Sequence, residues 1–178
     1  MKYVNLGRSG LKVSRICLGC MAYADGSKGT HPWALNEEAA QPFFRRAIEA
    51  GINFFDTANV YSAGTSEEIT GRALKRYAKG REEVVIATKV HFEIRPGDPN
   101  GKGLSRKAIM AEIDASVKRL GVDYVDLYQI HRLDPETPIE ETLSALDWLV
   151  QQGKVRYLGA SSMASWQFMR CLAYSDAH

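Results

Sequence analysis

Five short apolar runs, separated by helical segments, constrain the fold of this chain more than any other feature. The runs begin 31 to 40 residues apart, which is the length of one strand, one helix and their loops. Because each run is almost continuously apolar, it is typical of a strand buried on both faces of a parallel sheet. The predicted strands are Ile16–Cys20, Asn53–Ala58, Val84–Val90, Tyr124–His131 and Val155–Ser161.

The segments between these runs have helical periodicity and recognisable ends. Apolar residues three and four apart form two stripes, Ile109/Ile113/Val117/Leu120 and Ile139/Leu143/Leu146/Val150. Hydroxyl side chains at helix starts are predicted N-caps, and they are Thr65, Ser105 and Thr137. Glycines that follow helical runs are predicted to end them in a left-handed conformation, and they are Gly51, Gly80, Gly121 and Gly153. A hairpin over Tyr3–Leu6 and Leu11–Ser14 precedes the first unit, and a last helix is predicted near Trp166–Tyr174.

A chain of parallel strands joined by helices can adopt two main architectures, a doubly wound open sheet and a (β/α)8 barrel. No G-x-G-x-x-G follows any predicted strand, which weakens the first alternative. Polar side chains at the carboxyl ends of successive strands favour the second, because barrel enzymes place their chemistry at that rim. We therefore predict an α/β fold of the (β/α)8 TIM-barrel family, with about five βα units after an N-terminal β-hairpin.

The predicted strands end in residues that are expensive to bury alone. Lys89 closes an apolar run, and a buried lysine needs a counter-charge, which Asp56 on the neighbouring strand can supply. Tyr61 follows the same strand as Asp56, and an ammonium beside a phenol favours the phenolate, so Tyr61 can act as a general acid toward a carbonyl oxygen. His131 closes the fourth run and can hydrogen-bond the same oxygen. Taken singly, each of these residues also fits a structural role as a turn, strand-end, packing or capping residue.

The sequence resembles the aldo-keto reductase superfamily, as the N-terminal portion of a bacterial aldo/keto reductase. The matching stretches, in order along the whole chain, are Gly19-Cys20-Met21, Asp56-Thr57-Ala58 with Tyr61, Gly71-Arg72-Ala73-Leu74, Thr88-Lys89, Leu120–Asp126, His131 and Gly159-Ala160-Ser161-Ser162. The resemblance implies an NADPH-dependent reduction of an aldehyde or ketone, with Asp56, Tyr61, Lys89 and His131 as the catalytic tetrad.

The resemblance also implies sites for the cofactor and the carbonyl substrate. The residues assigned to NADPH or NADP are Gly19, Cys20, Met21, Asp56, Ser161 and Ser162, with Ser162 standing where the family usually has asparagine. Substrate contacts are expected from Tyr61 and His131. Two long loops after strands, Ala22–Asn36 and His91–Leu104, are expected to shape the pocket. His31, Trp33 and Phe92 can line it, although aromatic loop residues equally often serve packing alone.

The main departure from the family is length, since a closed barrel takes about 250 residues and eight strands. Residues 1–178 are expected to form one reductase domain that is incomplete at its C-terminus. We favour a piece of a longer reductase, which predicts weak NADPH binding. The alternatives are an inactive remnant and a short form that completes its open sheet edges by homo-oligomerisation. In function, the alternative to an enzyme is a module that binds the nicotinamide cofactor and a partner protein.

Composition excludes several other classes. The formal net charge is +2, with no block of one sign, which argues against a nucleic-acid partner. No stretch reaches the ~18 apolar residues of a membrane span, and no signal peptide is recognised. Three cysteines are too few for a disulfide framework, so we expect buried thiols in a reducing cytoplasm. The four histidines His31, His91, His131 and His178 lack metal-ligand spacing, and no metal site is expected.

Overall fold

The computed structural model describes residues 1–29 and 31–177, so Thr30 in the first long loop and the C-terminal His178 lie outside it. The strands within this part are β1 Tyr3–Asn5, β2 Lys12–Ser14, β3 Leu18–Gly19, β4 Phe54–Asp56, β5 Val85–Val90, β6 Val125–Ile130 and β7 Val155–Ala160. The helices are α1 Glu37–Glu49, α2 Thr65–Tyr77, α3 Arg106–Leu120, α4 Ile139–Gln151 and α5 Ser165–Ala177. Two short 3₁₀ turns, Tyr61–Gly64 and Arg81–Glu83, complete the regular structure.

In the main sheet each new strand is added on the same side of the strand before it. Its five strands, β3 to β7, lie in chain order, and every neighbouring pair is parallel. A doubly wound sheet would reverse direction at a switch point, so the order confirms the predicted barrel class, here as an incomplete barrel. All five predicted parallel strands are present, each shorter than its apolar run. The predicted hairpin is also present, with β1 and β2 paired antiparallel.

The core lies between one face of this sheet and the helices. Phe55, Ile86 and Tyr128 project from three successive strands into it, and Ile109 and Ile113 of α3 pack there as predicted. Because side chains alternate along a strand, the neighbouring positions point to the opposite face, which is the interior of the incomplete barrel. Helices bury one face of the sheet, and along β5 and most of β6 the interior face is buried as well, so the site occupies the carboxyl ends of the strands.

Three of the four glycines predicted to end helices do so. Gly51, Gly121 and Gly153 have φ values of 81°, 65° and 71°, in the left-handed region. The prediction is wrong for Gly80, whose φ is −163°. The reason is that α2 already ends in extended backbone at Ala78, so no left-handed residue is needed to stop the helix.

The predicted N-caps have a mixed outcome. Ser105 caps α3 as expected, because its Oγ accepts a hydrogen bond from the Ala108 amide. The prediction is wrong for Thr65, which lies inside α2 behind the capping Gly64 and whose hydroxyl donates to the carbonyl of Ser62. It is also wrong for Thr137, whose hydroxyl donates to Asp134 at 2.7 Å. Pro138 takes the capping position of α4 instead.

The three cysteines are free thiols. Cys20 and Cys171 are buried as expected, whereas Cys17 is exposed, because it precedes β3 at the edge of the sheet. Over residues 1–29 and 31–177, no helix combines the length and the apolar character that crossing a bilayer requires.

Candidate active site

Three successive strands bring the predicted catalytic side chains to one rim of the sheet. Asp56 is the last residue of β4, Lys89 lies one residue before the end of β5, and His131 directly follows β6. Tyr61 begins the 3₁₀ turn that comes five residues after Asp56. Parallel strands end at the same edge, so residues 75 positions apart in the chain meet here.

Lys89 is the centre of the cluster. It is 5% exposed, and its Nζ donates to Asp56 Oδ2 at 2.5 Å, to the Thr57 carbonyl at 2.8 Å and to Tyr61 Oη at 3.3 Å. An ammonium has three protons, so these contacts use its full donor capacity and offset the cost of burying the charge. Because the phenol oxygen accepts from Lys89, the proton of Tyr61 remains available for donation to another group.

Asp56 has a second partner that sequence reasoning missed. Its Oδ1 accepts a hydrogen bond from Gln129 Nε2 at 2.9 Å. Gln129 pairs in register with Lys89 across β5 and β6, so the two side chains share the interior face. A polar residue two positions before His131, on the same face of a predicted strand, was the available signal. The carboxylate is thereby held on both oxygens.

His131 lies across the opening from Tyr61. The two rings are 5.7 Å apart and nearly perpendicular, and His131 is 8% exposed. Burial lowers the pKa of His131 to about 4, with smaller contributions from the charges of Lys89, Arg132 and His91. The imidazole is therefore neutral near pH 7, and it holds one N–H donor and one acceptor.

Aromatic rings form a continuous row along the rim. Successive ring centroids lie 4.9 to 5.9 Å apart, with interplanar angles of 80° to 86°. In order, the row consists of Trp33, His31, Tyr61, His131, Phe92 and His91. The two long loops thus bring their aromatic residues to opposite sides of the Tyr61–His131 pair, where Trp33 and Phe92 remain partly exposed.

The residues predicted to bind the cofactor divide into two groups. Gly19 ends β3, where an added Cβ would meet no described atom within 4 Å, and Met21 beside it is exposed. Ser161 and Ser162 follow β7, with their hydroxyl oxygens 3.1 Å apart and accessible. Cys20 differs, because its thiol is fully buried in the core and burial raises its pKa to about 12. It reaches the site only through its backbone amide, which donates to the Asp56 carbonyl at 2.7 Å.

The turn that carries Tyr61 has an unusual backbone. Ser62, Ala63 and Gly64 have φ values of 46°, 53° and 91°, so three consecutive residues are left-handed. Arg119 of α3 packs directly behind Gly64, and its Nε donates to Glu67 at 2.6 Å. The ion pair supports the turn from behind. No helical periodicity or turn signal in the sequence indicated this arrangement.

A family model places the chain among known proteins. The model described as "Aldo/keto reductase family" matches residues 15–177. This range includes every residue of the cluster around Lys89.

Curated proteins give the same result. The versiconal hemiacetal acetate reductase of Aspergillus parasiticus is 50% identical, over 94% of this chain and 53% of its own length. A putative aryl-alcohol dehydrogenase of Saccharomyces cerevisiae is 45% identical, over 100% of this chain and 56% of its own. An uncharacterized oxidoreductase of Bacillus subtilis is 38% identical, over 99% of this chain and 54% of its own length. The chain spans about half the length of the curated relatives it matches.

Proposed function

The chain belongs to the aldo/keto reductase family, and from this premise we propose that it catalyses the NADPH-dependent reduction of an aldehyde or ketone to an alcohol. One observation supports the proposal most strongly. The Tyr61 hydroxyl accepts a hydrogen bond from a buried lysine that is neutralised by Asp56, so its own proton is available to another acceptor. A phenol used only for packing has no need of a buried ammonium.

The cofactor supplies the hydride for the carbonyl carbon when it is bound. The residues present fit such a group, because an accessible hydroxyl pair ends β7 and open space lies above Gly19 at the end of β3. We propose that Ser161 and Ser162 hold the nicotinamide amide, while Gly19 and Met21 form the floor beside it. Cys20 contributes backbone only.

The roles of the chain's own residues follow from their contacts. Tyr61 donates its proton to the carbonyl oxygen of the substrate, and the oxygen becomes the hydroxyl of the alcohol. Lys89 stabilises the phenolate that remains, because its ammonium already lies at the phenol oxygen. His131 stays neutral and donates its N–H to the same carbonyl oxygen, which orients the substrate before the proton moves.

The row of rings supports flat, aromatic carbonyl compounds as the substrate class. An aromatic ring packs well edge-to-face against other rings, and Trp33 and Phe92 leave exposed faces on either side of Tyr61. The name of one relative points the same way, since it is a putative aryl-alcohol dehydrogenase. We expect a benzaldehyde-type substrate to be reduced with a higher kcat/KM than an aliphatic aldehyde of equal size.

The experiment is a steady-state assay of NADPH oxidation with an aromatic aldehyde, at saturating NADPH. Tyr61→Phe removes only the proton donor, so kcat should fall at least ~100-fold while the fold is retained. Tyr124→Phe is the matched control, because Tyr124 lies at the opposite end of β6, where it packs against Arg81 and Arg156. Equal activity of Tyr61→Phe and the parent would refute the catalytic assignment.

A second measurement addresses the short chain. Isothermal titration of the 178-residue chain with NADPH should give weak binding, as expected for a piece of a longer reductase. Tight, stoichiometric binding without turnover would instead support a cofactor-binding module. Absence of both binding and turnover would support an inactive remnant.

A further inference from the structure

Glu112 of α3 is a buried carboxylate outside the cluster around Lys89. It is 1% exposed and lies on the helix-covered side of the sheet, where an unpaired charge would be costly. Its two oxygens bind side chains from two different loops. Oε2 accepts from Asn59 Nδ2 at 3.0 Å, and Oε1 accepts from Arg95 Nη1.

Asn59 connects Glu112 to the proton donor. It is fully buried, precedes Tyr61 by two residues, and its backbone amide donates to the Lys89 carbonyl at 3.3 Å. The position of Asn59 therefore sets where the chain leaves β4 and enters the turn that carries Tyr61.

Arg95 connects Glu112 to the other wall of the site. Its Nε donates to Asp98 Oδ2 and its Nη2 to the Asn100 carbonyl, both at 2.9 Å, so this guanidinium organises the loop of residues 91–104. Phe92 in that loop packs against His131 at 4.9 Å. A displacement of Arg95 would therefore move the ring that contacts the catalytic imidazole.

We propose that Glu112 is a positioning residue that fixes the Tyr61 turn and the 91–104 loop relative to each other. The consequence for catalysis rests on the proposed reductase function, whereas the mechanical coupling of the two loops does not. A carboxylate accepts on both oxygens and carries the charge that pairs with Arg95. Glutamine removes that charge and keeps one acceptor, so it can hold both loops only after the Asn59 amide has turned over to present its Oδ1, which has no partner within the described part of the chain.

The test measures hydrogen–deuterium exchange in the parent, Glu112→Gln and Arg95→Met. Residues 57–64 and 91–104 should exchange about tenfold faster in both variants, while β6 keeps its parent rate. Arg95→Met is the decisive variant, since the hydrogen bonds of Arg95 go to Glu112, Asp98 and Asn100, yet its removal should also loosen residues 57–64. Asp114→Asn is the matched control, because this carboxylate lies on the same helix and pairs with Lys154 at the surface.

Kinetics supply the second readout. Glu112→Gln should lower kcat about tenfold with KM for NADPH unchanged, because misplacing the proton donor affects the reacting geometry rather than cofactor binding. Unchanged exchange of residues 57–64 in Arg95→Met would overturn the inference, and so would equal acceleration in β6, which signals general loss of stability. A parent without reductase activity would refute the proposed function alone, and the exchange data would still decide the coupling.

Discussion

Lys89 reaches Tyr61 through the longest of its three hydrogen bonds, 3.3 Å, after shorter bonds to Asp56 and the Thr57 carbonyl have fixed the ammonium. The charge is therefore held in place before any substrate arrives. A preorganised charge stabilises the developing phenolate without the cost of reorganisation. In the proposed reaction the short bond to Asp56 and the longer bond to Tyr61 thus have separate tasks, one in stability and one in catalysis.

Comparing Lys89→Met with the double variant Lys89→Met plus Asp56→Asn separates these two tasks. Loss of the ammonium removes the stabilisation of the phenolate, so we expect kcat to fall about 1,000-fold in the NADPH oxidation assay. The same change leaves Asp56 with only Gln129 as a partner, which should lower the free energy of unfolding by about 2 kcal/mol after allowance for its partial exposure. Adding Asp56→Asn should restore most of that stability but none of the activity. Recovery of activity in the double variant would contradict the assignment.

The depressed pKa of His131 predicts a pH dependence of stability. Its pKa is lowered to about 4 in the folded chain from 6.5, so below pH 6.5 the unfolded state binds a proton that the folded state does not. The stability that His131 contributes is therefore fully present above pH 6.5 and is lost as the pH falls toward 4. Between pH 7.5 and 4.5 the loss from this group is roughly 2–3 kcal/mol.

Urea unfolding at these two pH values, on the parent and on His131→Gln, isolates the contribution. Other titrating groups, including His91, are common to both proteins and cancel in the comparison. Between pH 7.5 and 4.5, His131→Gln should lose roughly 2–3 kcal/mol less stability than the parent. An identical pH dependence in the two proteins would mean that His131 titrates normally in the folded chain.

The sequence predicted the parts of this molecule that depend on local pattern. The apolar runs predicted the five parallel strands. Asp56, Lys89 and His131 stand at the ends of these runs, and they were predicted to lie together because the carboxyl ends of parallel strands share an edge. Contacts between distant segments were not predictable in this way. The spacing of Gln129 from His131 placed it on the interior face, but did not show that it holds Asp56, which lies two strands away on β4.

Other contacts escaped prediction for the same reason. Glu112 and Arg119 lie on a helix whose apolar stripe was recognised, but the charged positions beside that stripe carried no signal of their own. Glu112 is buried and Arg119 is largely covered because α2 and the loops after β4 and β5 pack over them, which periodicity within one helix cannot show. Thr137 matched a capping pattern, but Asp134, three residues earlier, competes for its hydroxyl.

Gly64 provides a test of the turn behind Tyr61. Its φ is +91°, and an added Cβ would lie 2.6 Å from Cδ of Arg119. Gly64→Ala should therefore cost about 1–2 kcal/mol for the left-handed backbone and a similar amount for displacing Arg119. Gly7→Ala is the matched control, since Gly7 lies in the N-terminal hairpin, has a φ of +58°, and an added Cβ there meets no described atom within 4 Å.

The two glycine variants are compared by thermal unfolding, which measures stability, and by the NADPH oxidation assay, which measures kcat. Both should lose stability, but only Gly64→Ala should also lower kcat, because displacement of Arg119 moves the turn that carries Tyr61. Equal losses of stability and unchanged kcat in both variants would show that the contact with Arg119 is not important.

Tyr128 has a buried hydroxyl that lacks a hydrogen bond to any residue the structure describes. The side chain is 0% exposed on β6, and its oxygen has no hydrogen-bond partner within the described part of the chain. Burial, with the nearby carboxylates of Glu67 and Glu112, raises the pKa of Tyr128 well above its ordinary value, so the phenol stays neutral. Tyr128→Phe removes an unpaired polar group and leaves the ring packing intact, so thermal unfolding should show unchanged stability or a gain of up to ~1 kcal/mol. A loss of more than ~1 kcal/mol would instead show that the hydroxyl is hydrogen-bonded in solution.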